Sequence, residues 1–247
     1  MNKLYVVGIG PGAYEKMTIE AAEALKNSDV IIGYTVYVDL VRGHFPGKEF
    51  MTTPMKKEVD RCILAFEEAK KGKTVSMICS GDAGVYGMSG LMYETGINYP
   101  EVELQVIPGV TAATGGAAVL GAPLIHDFCL ISLSDLLTPW EKIEARLLEA
   151  SKADFVICLY NPSSKKRHDY LEKACKLMME YKAPETVCGI VWNIGRNGEE
   201  SRVLTLKELR DTKVDMFTTV FIGNSQTMEI GGKMVTPRGY RSTACVK

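Results

Sequence analysis

Short apolar runs and amphipathic helical runs alternate along the whole chain, and no other feature restricts the fold as strongly. The strand-like runs in the first half are "LYVVGI", "VIIGY", "TVSMIC" and "VELQVI". The clearest helical run is "KEVDRCILAFEEAKKG", in which apolar residues recur at helical spacing: Val59, Cys62, Ile63 and Phe66. Strands that alternate with helices in this way predict an α/β protein with largely parallel sheets.

The alternation begins again after Pro123, which predicts two domains. We expect an N-terminal α/β domain over residues 1–122 and a C-terminal α/β domain over residues 123–247, with a cleft between the two lobes. A chain of 247 residues that is 46% hydrophobic can bury a core in each of them. The uncharged stretch 104–125 has the length of a membrane span, but prolines, glycines and threonines interrupt it. We therefore expect a buried strand, a loop and a helix there.

Composition limits the classes of function. The 29 Lys and Arg residues nearly balance the 30 Asp and Glu residues, so no overall charge favours nucleic acid or an anionic membrane. The N-terminal residues pass from one lysine through a short apolar run into glycines, unlike a secretory leader, and we expect a cytoplasmic protein. The 7 cysteines form no C-x-x-C pair and the 3 histidines are scattered, so we expect reduced core cysteines and no metal site.

The loop after the first predicted strand, "VVGIGPGA", fits the dinucleotide pattern G-x-G-x-x-G/A, with Ala13 at the last position. A nicotinamide-dependent oxidoreductase is therefore one interpretation of the chain. Two features oppose it. The second predicted strand ends in Tyr34, where a dinucleotide fold needs an acidic residue for the ribose, and Pro11 removes a backbone donor from the loop.

Two further glycine-rich loops follow predicted strands. "SGDAGVYG" comes after the run "TVSMIC", and "VIPGVTAATG" closes the run "VELQVI". Glycines let a small molecule approach the main chain closely, and open α/β sheets bind their ligands at the carboxyl ends of strands. Because three strand ends carry this chemistry, we expect them to form one ligand site that is lined by backbone.

These loops, together with "HDFCLISLSDLLTPWEKIEARL" and "LYNPSSKKR", resemble the tetrapyrrole methylases that use S-adenosylmethionine. The likeness covers nearly the full chain. The glycine loops are common to that family, whereas "ISLSDLLTPWE" and "LYNPSS" are similar to its C-17 methyltransferases, which act on precorrin-3B or cobalt-factor III in cobalamin biosynthesis. The resemblance implies two αβα domains, a homodimer, and S-adenosylmethionine bound in the cleft largely by main-chain groups.

The resemblance also assigns residues to the cofactor site, position by position. From the first domain they are Pro11, Ser80, Gly81, Asp82, Val85, Thr111 and Ala112. From the second domain they are Tyr160, Asn193, Thr218 and Thr219. Many members of the family have proline after the aspartate of the second loop, whereas this chain has Ala83. That difference loosens the turn without removing one of the contacts that the resemblance implies.

A sulfonium methyl group is already activated, so its transfer to carbon requires placement in a dry pocket rather than a nucleophilic side chain. The family reaction also contracts the macrocycle, through a lactone formed by a ring A acetate and loss of the bridging carbon, and these steps move protons. Tyr34 stands where related uroporphyrinogen methylases have an aspartate, while His126 and Asp135 lie near the predicted domain junction. These three residues are the predicted catalytic groups.

The carboxylates of such a tetrapyrrole should meet cations and hydrogen-bond donors. The candidates are Arg42, Lys56, Lys57, Arg61, Lys166, Arg167 and Arg196, with Ser163 and Ser164 as further donors. The sequence leaves open whether the acceptor holds cobalt or is metal-free, and we favour the cobalt form. Another acceptor within the family and a corrinoid-binding protein without catalysis also stay open, although the even charge balance argues against RNA.

Overall fold

The computed structural model describes residues 2–164 and 167–240 of the chain. These residues cluster into two compact units that divide between Ala112 and Ala113. Each unit is built on its own five-stranded sheet, and the predicted α/β class is confirmed. The domain boundary predicted after residue 122 falls inside the second unit.

The first unit is a parallel sheet with helices on both faces. Its strands are β1 (Asn2–Gly8), β2 (Val30–Tyr34), β3 (Glu49–Thr53), β4 (Val75–Cys79) and β5 (Val102–Ile107). Its helices are α1 (Ile19–Asn27), α2 (Thr35–Val41), α3 (Glu58–Lys70) and α4 (Ser89–Gly96), with short 3-10 helices at Tyr14–Lys16 and Arg42–His44. The strand order is β3-β2-β4-β1-β5, and each pairing of neighbours is parallel, as predicted.

Both faces of this sheet are buried, because successive residues of a strand point to opposite sides. Val6 belongs to a core cluster with Phe66 of α3, whereas its neighbour Val7 belongs to a cluster with Leu25 of α1 and Val38 of α2. Each of these five side chains is at most 1% exposed. The two clusters make a three-layer αβα sandwich, and the polar loops gather at the ends of the strands.

Helix α3 confirms the helix predicted from the spacing of its apolar residues, although only part of that apolar stripe is buried. Cys62 and Phe66 are buried, whereas Val59 is 53% exposed and Ile63 is 42% exposed. The buried face continues instead through the alanines Ala65 and Ala69. A helix that lies flat on a sheet buries only a narrow stripe, and small residues bring it close to the strands.

The second unit begins within the first turn of α5 (Ala112–Leu120). Its strands are β6 (Gly121–Ala122), β7 (Phe128–Ser132), β8 (Val156–Tyr160), β9 (Val187–Trp192), β10 (Glu200–Thr205), β11 (Thr218–Ile222), β12 (Met228–Ile230) and β13 (Lys233–Val235). Its further helices are α6 (Trp140–Lys152), α7 (Tyr170–Met178) and α8 (Leu206–Arg210). The main sheet has the order β10-β9-β11-β8-β7, and β12, β13 and β6 form a small second sheet.

The main sheet of the second unit is mixed, so the prediction of a largely parallel sheet is wrong for this unit. Strands β7 and β8 are parallel, but β11 is antiparallel to β8 and β9, and β10 is antiparallel to β9. The short connection 193–199 explains one of these pairings. Its glycines Gly195 and Gly198 have φ angles of +67° and +78°, and a short turn with left-handed residues joins antiparallel neighbours.

The uncharged stretch 104–125 forms a strand, a loop and a helix, as predicted, within β5, α5 and β6. Small residues let α5 lie close to the main sheet of its unit, because a Cβ atom on Gly116 would stand 2.9 Å from side-chain atoms of Ile194 and Phe221. Within residues 2–164 and 167–240, we find no helix whose length and apolar content would suit a bilayer crossing.

Candidate functional site

Three loops meet at the carboxyl edge of the first sheet, because β1, β4 and β5 are adjacent and parallel. Gly81 N–H donates to the Gly10 carbonyl (2.8 Å), and Gly10 N–H donates to the Gly81 carbonyl (3.1 Å). Just before them, Ile9 N–H donates to the Cys79 carbonyl (2.9 Å). The convergence of glycine-rich strand ends that the sequence predicts is therefore observed.

Gly8, Gly81 and Gly109, one from each loop, lie in backbone-to-backbone contact. A Cβ atom on Gly109 would stand 2.2 Å from the Gly81 carbonyl oxygen and 2.5 Å from the Gly8 carbonyl oxygen. A Cβ atom on Gly8 would stand 2.7 Å from the same Gly81 oxygen. No side chain fits at such distances, so the first glycine of the dinucleotide-like pattern is explained by the packing of one loop on another. We call this arrangement the three-loop junction.

Asp82 braces the three-loop junction. Its Oδ1 accepts hydrogen bonds from the Gly84 N–H (2.7 Å) and the Val85 N–H (3.1 Å), which close the turn after β4. Its Oδ2 accepts from the Gly109 N–H (2.9 Å) of the loop after β5. One carboxylate therefore ties two loops together, and three backbone donors depend on it.

Replacing Asp82 with asparagine should lower the free energy of unfolding by about 1–3 kcal/mol. The amide keeps one acceptor oxygen but directs an NH2 group at a backbone N–H, so at least one donor loses its partner. Urea denaturation of the variant and the wild type measures the difference. The matched control is Asp39→Asn, at an exposed position of α2; equal losses in both variants would show that Asp82 is not a brace.

The remaining predicted cofactor residues of the first unit lie beside this junction. Pro11 follows the Gly10–Gly81 bridge and is buried, while Ser80 and Val85 flank Asp82 and are half-buried. Thr111 and Ala112 lie next to Gly81, because a Cβ atom on Gly81 would be 3.7 Å from Thr111 Cα and from Ala112 N. The structure thus brings these residues together, and their contact with a cofactor stays a prediction.

The predicted cofactor residues of the second unit share one edge of its main sheet, the edge where β7, β8 and β9 end. Tyr160 ends β8, Asn193 follows β9, and Thr218 and Thr219 begin β11. The Tyr160 hydroxyl accepts a hydrogen bond from the Ala113 N–H (2.8 Å) and so caps the first turn of α5. The Thr218 hydroxyl donates a hydrogen bond to Asp215 Oδ1 (2.7 Å). Asn193 adopts a left-handed backbone conformation, with a φ of +50°.

Of the predicted catalytic residues, Tyr34 lies in the first unit, and His126 and Asp135 lie in the second. Tyr34 ends β2 at the same edge as the three-loop junction, and its ring packs edge-on against Tyr37 (5.3 Å between centroids). His126 precedes β7, and its Nδ1 accepts from the Asp127 N–H (3.0 Å). It lies before Phe128, which begins β7, whereas Ser132 ends that strand about 13 Å further along at the usual rise. The structure therefore does not bring His126 close to the other predicted residues of its unit.

Asp135 lies in a polar network at the edge where β7 ends. Its Oδ1 accepts from Arg167 Nη1 (3.0 Å), and its Oδ2 accepts from the Tyr170 hydroxyl (2.7 Å). The Tyr170 hydroxyl first, and then the Arg167 guanidinium, hold the pKa of Asp135 below its ordinary value. The carboxylate is therefore ionised at neutral pH. Tyr170 is not among the predicted site residues, because no local sequence pattern relates it to Asp135, thirty-five positions earlier.

Most predicted cations contact groups of their own unit. Lys57 forms an ion pair with Asp60, and Arg61 donates hydrogen bonds to Thr53 and to the Pro54 carbonyl. The guanidinium groups of Arg42 and Arg196 lie over the rings of Phe50 and Phe217. Arg167 donates hydrogen bonds to Asp135 and to the predicted donor Ser164. Lys56 is exposed and Ser163 is half-buried. Lys166 lies outside the described residues. Carboxylate binding by this set stays a prediction.

The six described cysteines are free thiols, and Cys245 lies outside the described residues. Burial raises the pKa of Cys79, at the end of β4, to about 11, so this thiol is protonated at neutral pH and is not a nucleophile. Among residues 2–164 and 167–240 there is no group of three His, Cys, Asp or Glu side chains that could hold a metal ion.

The fold and the three-loop junction define the class of this protein: an α/β protein of two units in which glycine-rich loops follow the parallel strands of the first unit. The sequence model of the tetrapyrrole (corrin/porphyrin) methylases matches residues 3–210. The chain therefore belongs to the tetrapyrrole methylase family, and it is a methyltransferase.

Two relatives of known name and one crystal structure agree with this assignment. The chain is 47% identical to a probable cobalt-factor III C(17)-methyltransferase of Salmonella typhimurium, over 96% of this chain and 99% of that protein. It is 46% identical to the cobalt-factor III methyltransferase of Priestia megaterium, over 97% of this chain but only 45% of that longer protein. The crystal structure of the methyltransferase CobJ superposes with a TM-score of 0.87 at 33% identity, over 96% of this chain and 100% of that one.

Proposed function

We propose that this protein transfers a methyl group from S-adenosylmethionine to C-17 of a cobalt-factor III type tetrapyrrole, with contraction of the ring, in cobalamin biosynthesis. The observation that carries the methyl-donor part is the three-loop junction. The acceptor is supported by the Salmonella relative, whose name specifies cobalt-factor III and C(17) and whose full length aligns with this chain. The name of the Priestia relative specifies cobalt-factor III as well.

The three-loop junction suits a compact, cationic ligand. Gly81 offers main chain in a left-handed conformation (φ +69°), and a Cβ atom there would meet nothing closer than 3.7 Å. When bound, S-adenosylmethionine supplies a methyl group that needs no further activation. The chain then has to hold the donor and the acceptor in line and to exclude water, tasks that rigid loops perform without a nucleophile. Asp82 contributes by fixing the loops.

The nicotinamide interpretation is less well supported. Tyr34 ends β2, at the position where a dinucleotide fold needs a carboxylate for the ribose. The loop after β1 leads into a short 3-10 helix, Tyr14–Lys16, rather than directly into a long helix that would face a pyrophosphate. Gly8 is required by the packing of the loops themselves.

For the proton transfers of ring contraction, we favour Tyr34 among the predicted catalytic residues. It lies at the edge of the first sheet that carries the three-loop junction. Asp135 is ionised and held by two partners, which suits a structural role better than proton donation. His126 stays a prediction, and its bond to the Asp127 N–H also fits a simple turn.

Anaerobic incubation of the purified protein with S-adenosylmethionine and cobalt-factor III tests the proposal. Mass spectrometry should show a tetrapyrrole that has gained one methyl group, and the methyl carbon should be located at C-17 by NMR. Metal-free precorrin-3B is the parallel substrate, and we expect slower turnover with it. Methylation of neither compound, together with a spectral response to NADH, would exclude this function and favour the oxidoreductase.

The homodimer and the cytoplasmic location that the sequence led us to expect belong to the same proposal. Light scattering of the purified protein measures the first, with a mass of twice 27.2 kDa expected. Fractionation of the source cells measures the second.

A further inference from the structure

Two loops of the second unit are joined along the edge where β7 and β8 end. The Leu133 N–H donates to the Tyr160 carbonyl (2.9 Å), which extends the pairing of the two strands. Asn161 Nδ2 donates to Ser132 Oγ (2.9 Å), and the Ser134 N–H donates to the same oxygen (3.2 Å). Hydrogen bonds therefore join the last residue of β7 and the residue after it to the last residue of β8 and the residue after it.

Further hydrogen bonds between polar side chains extend this network to Asp135. Arg167 Nη1 donates to Ser134 Oγ (2.7 Å) and to Asp135, and its Nε donates to Ser164 Oγ (3.1 Å). The Tyr170 hydroxyl closes the network on Asp135, and the Tyr170 ring packs on Trp140, at 4.6 Å between centroids. The loop 133–139 is thus fixed at both ends and near its middle.

The tip of this well-anchored loop is apolar and exposed. Leu136 is 68% exposed and Leu137 is 94% exposed, whereas Leu133 at the base of the loop is fully buried. Two adjacent leucines in water give no stability to the loop, and the network holds Asp135, the residue just before them. Contiguous exposed apolar groups that are rimmed by polar ones mark binding surfaces.

We propose that the Leu136–Leu137 tip contacts the macrocycle of the tetrapyrrole substrate, and that Asp135 is a positioning residue that holds the tip in place through Arg167 and Tyr170. The inference rests on the proposed function. A tetrapyrrole presents a broad apolar face, which suits leucines, and a rim of carboxylates. The tip also extends the edge of the sheet that carries Tyr160 and Asn193, two residues expected at the cofactor.

The direct test is the double variant Leu136→Ser/Leu137→Ser. Binding of cobalt-factor III is measured by anaerobic absorbance titration in the presence of S-adenosylhomocysteine, so that no turnover occurs. We expect the tetrapyrrole Kd to rise at least about tenfold, because the contact of two leucines with the ligand is lost. The Kd for S-adenosylhomocysteine, measured by calorimetry, and the melting temperature should stay unchanged. The matched control is Ile230→Ser, an apolar residue of β12 that is 53% exposed.

A second pair of variants tests the positioning role. Asp135→Asn weakens the network, so KM for the tetrapyrrole should rise about fivefold while kcat and the shape of its pH profile persist. Tyr170→Phe leaves the Arg167 contact in place and should have a smaller effect in the same direction. Loss of one limb of the pH profile in Asp135→Asn would identify Asp135 as an acid or base and overturn the positioning role.

The outcomes separate this inference from the proposed function. If wild-type protein binds S-adenosylhomocysteine but not cobalt-factor III, the proposed acceptor is wrong, and the inference fails with it. If the wild type binds the tetrapyrrole and the double leucine variant binds it equally well, only the inference fails. A change of oligomeric state in the double variant would show that the tip contacts a second copy of the chain, and would also overturn it.

Discussion

Replacing Gly109 with alanine is expected to lower the free energy of unfolding by about 3 kcal/mol or more, and to weaken binding of S-adenosylhomocysteine by about 100-fold. The added methyl group would stand 2.2 Å from one carbonyl oxygen and 2.5 Å from another, and both belong to backbone of neighbouring loops. Backbone cannot rotate away as a side chain can, so the loops after β1, β4 and β5 have to separate. Urea denaturation and calorimetry measure the two effects.

Gly90→Ala is the matched control for this substitution. It makes the same chemical change in α4, where a Cβ atom would have nothing within 4 Å, and alanine in a helix is favoured over glycine by about 0.5–1 kcal/mol. We therefore expect unchanged or slightly higher stability and normal binding. If Gly109→Ala behaves like Gly90→Ala, the three-loop junction is not built as described.

Gly81→Ala separates the shape of the proposed cofactor site from the stability of the fold. A Cβ atom at Gly81 has room in the structure, but the residue has a φ of +69°, so the cost in stability should be only about 1–2 kcal/mol. The variant should fold, and its methyl group would occupy the space that we assign to the donor. Loss of S-adenosylhomocysteine binding without unfolding is the expected result, and full binding would place the donor elsewhere.

The sequence allowed four of the five strands of the first sheet to be predicted because each of them is a largely apolar run, whereas the edge strand β3, Glu49–Thr53, is too polar and was not predicted. The residues of β2, Val30–Tyr34, are those of the predicted run "VIIGY". Parallel strands then place their carboxyl ends at one edge, so the meeting of the glycine loops follows from topology alone. Only the contacts within the junction, such as the bond from Gly109 to Asp82, required coordinates.

The second unit was predicted less well, for reasons that concern long-range pairing. The direction of β11 is set by its partners β8 and β9, and the run "MFTTVFIGN" is equally apolar in either direction. His126 shows the same limit for a site residue. It was selected for its nearness in sequence to the predicted domain junction, and the structure adds that it precedes β7, at the opposite edge from Ser132, while its catalytic role stays a prediction. Sequence distance does not report which end of a strand a residue occupies.

Asp135 and Lys56 show what a residue type alone cannot tell. An aspartate near a site is equally consistent with an acid and with a structural acceptor, and the choice depends on partners such as Tyr170 and Arg167.

A "KK" pair is equally consistent with substrate binding and with a solvated surface. Lys57 proves to pair with Asp60 at 2.9 Å, three positions along the same chain segment, whereas its neighbour Lys56 is exposed.

Replacing Lys182 with methionine is expected to lower the free energy of unfolding by about 3 kcal/mol. The lysine follows α7, and its side chain is only 3% exposed. Its Nζ donates to the Phe155 carbonyl (2.9 Å) and the Gly223 carbonyl (3.0 Å), and it lies 3.5 Å from Asp154 Oδ1. Methionine preserves length and removes all three interactions, which leaves two carbonyls without this donor and a carboxylate without its cation.

This lysine joins the segments at the start of β8 and the end of β11, so its loss should affect the second unit without affecting the proposed cofactor site of the first. Burial lowers the pKa of Lys182, and Asp154 opposes that effect, which is the balance expected of a structural cation. Lys176→Met is the matched control, because Lys176 pairs with Glu172 at 2.6 Å on the exposed face of α7 and should cost only about 0.3–0.5 kcal/mol. Equal urea midpoints for the two variants would mean that the buried amine contributes nothing to stability, and that strand pairing and packing hold β8 against β11 without it.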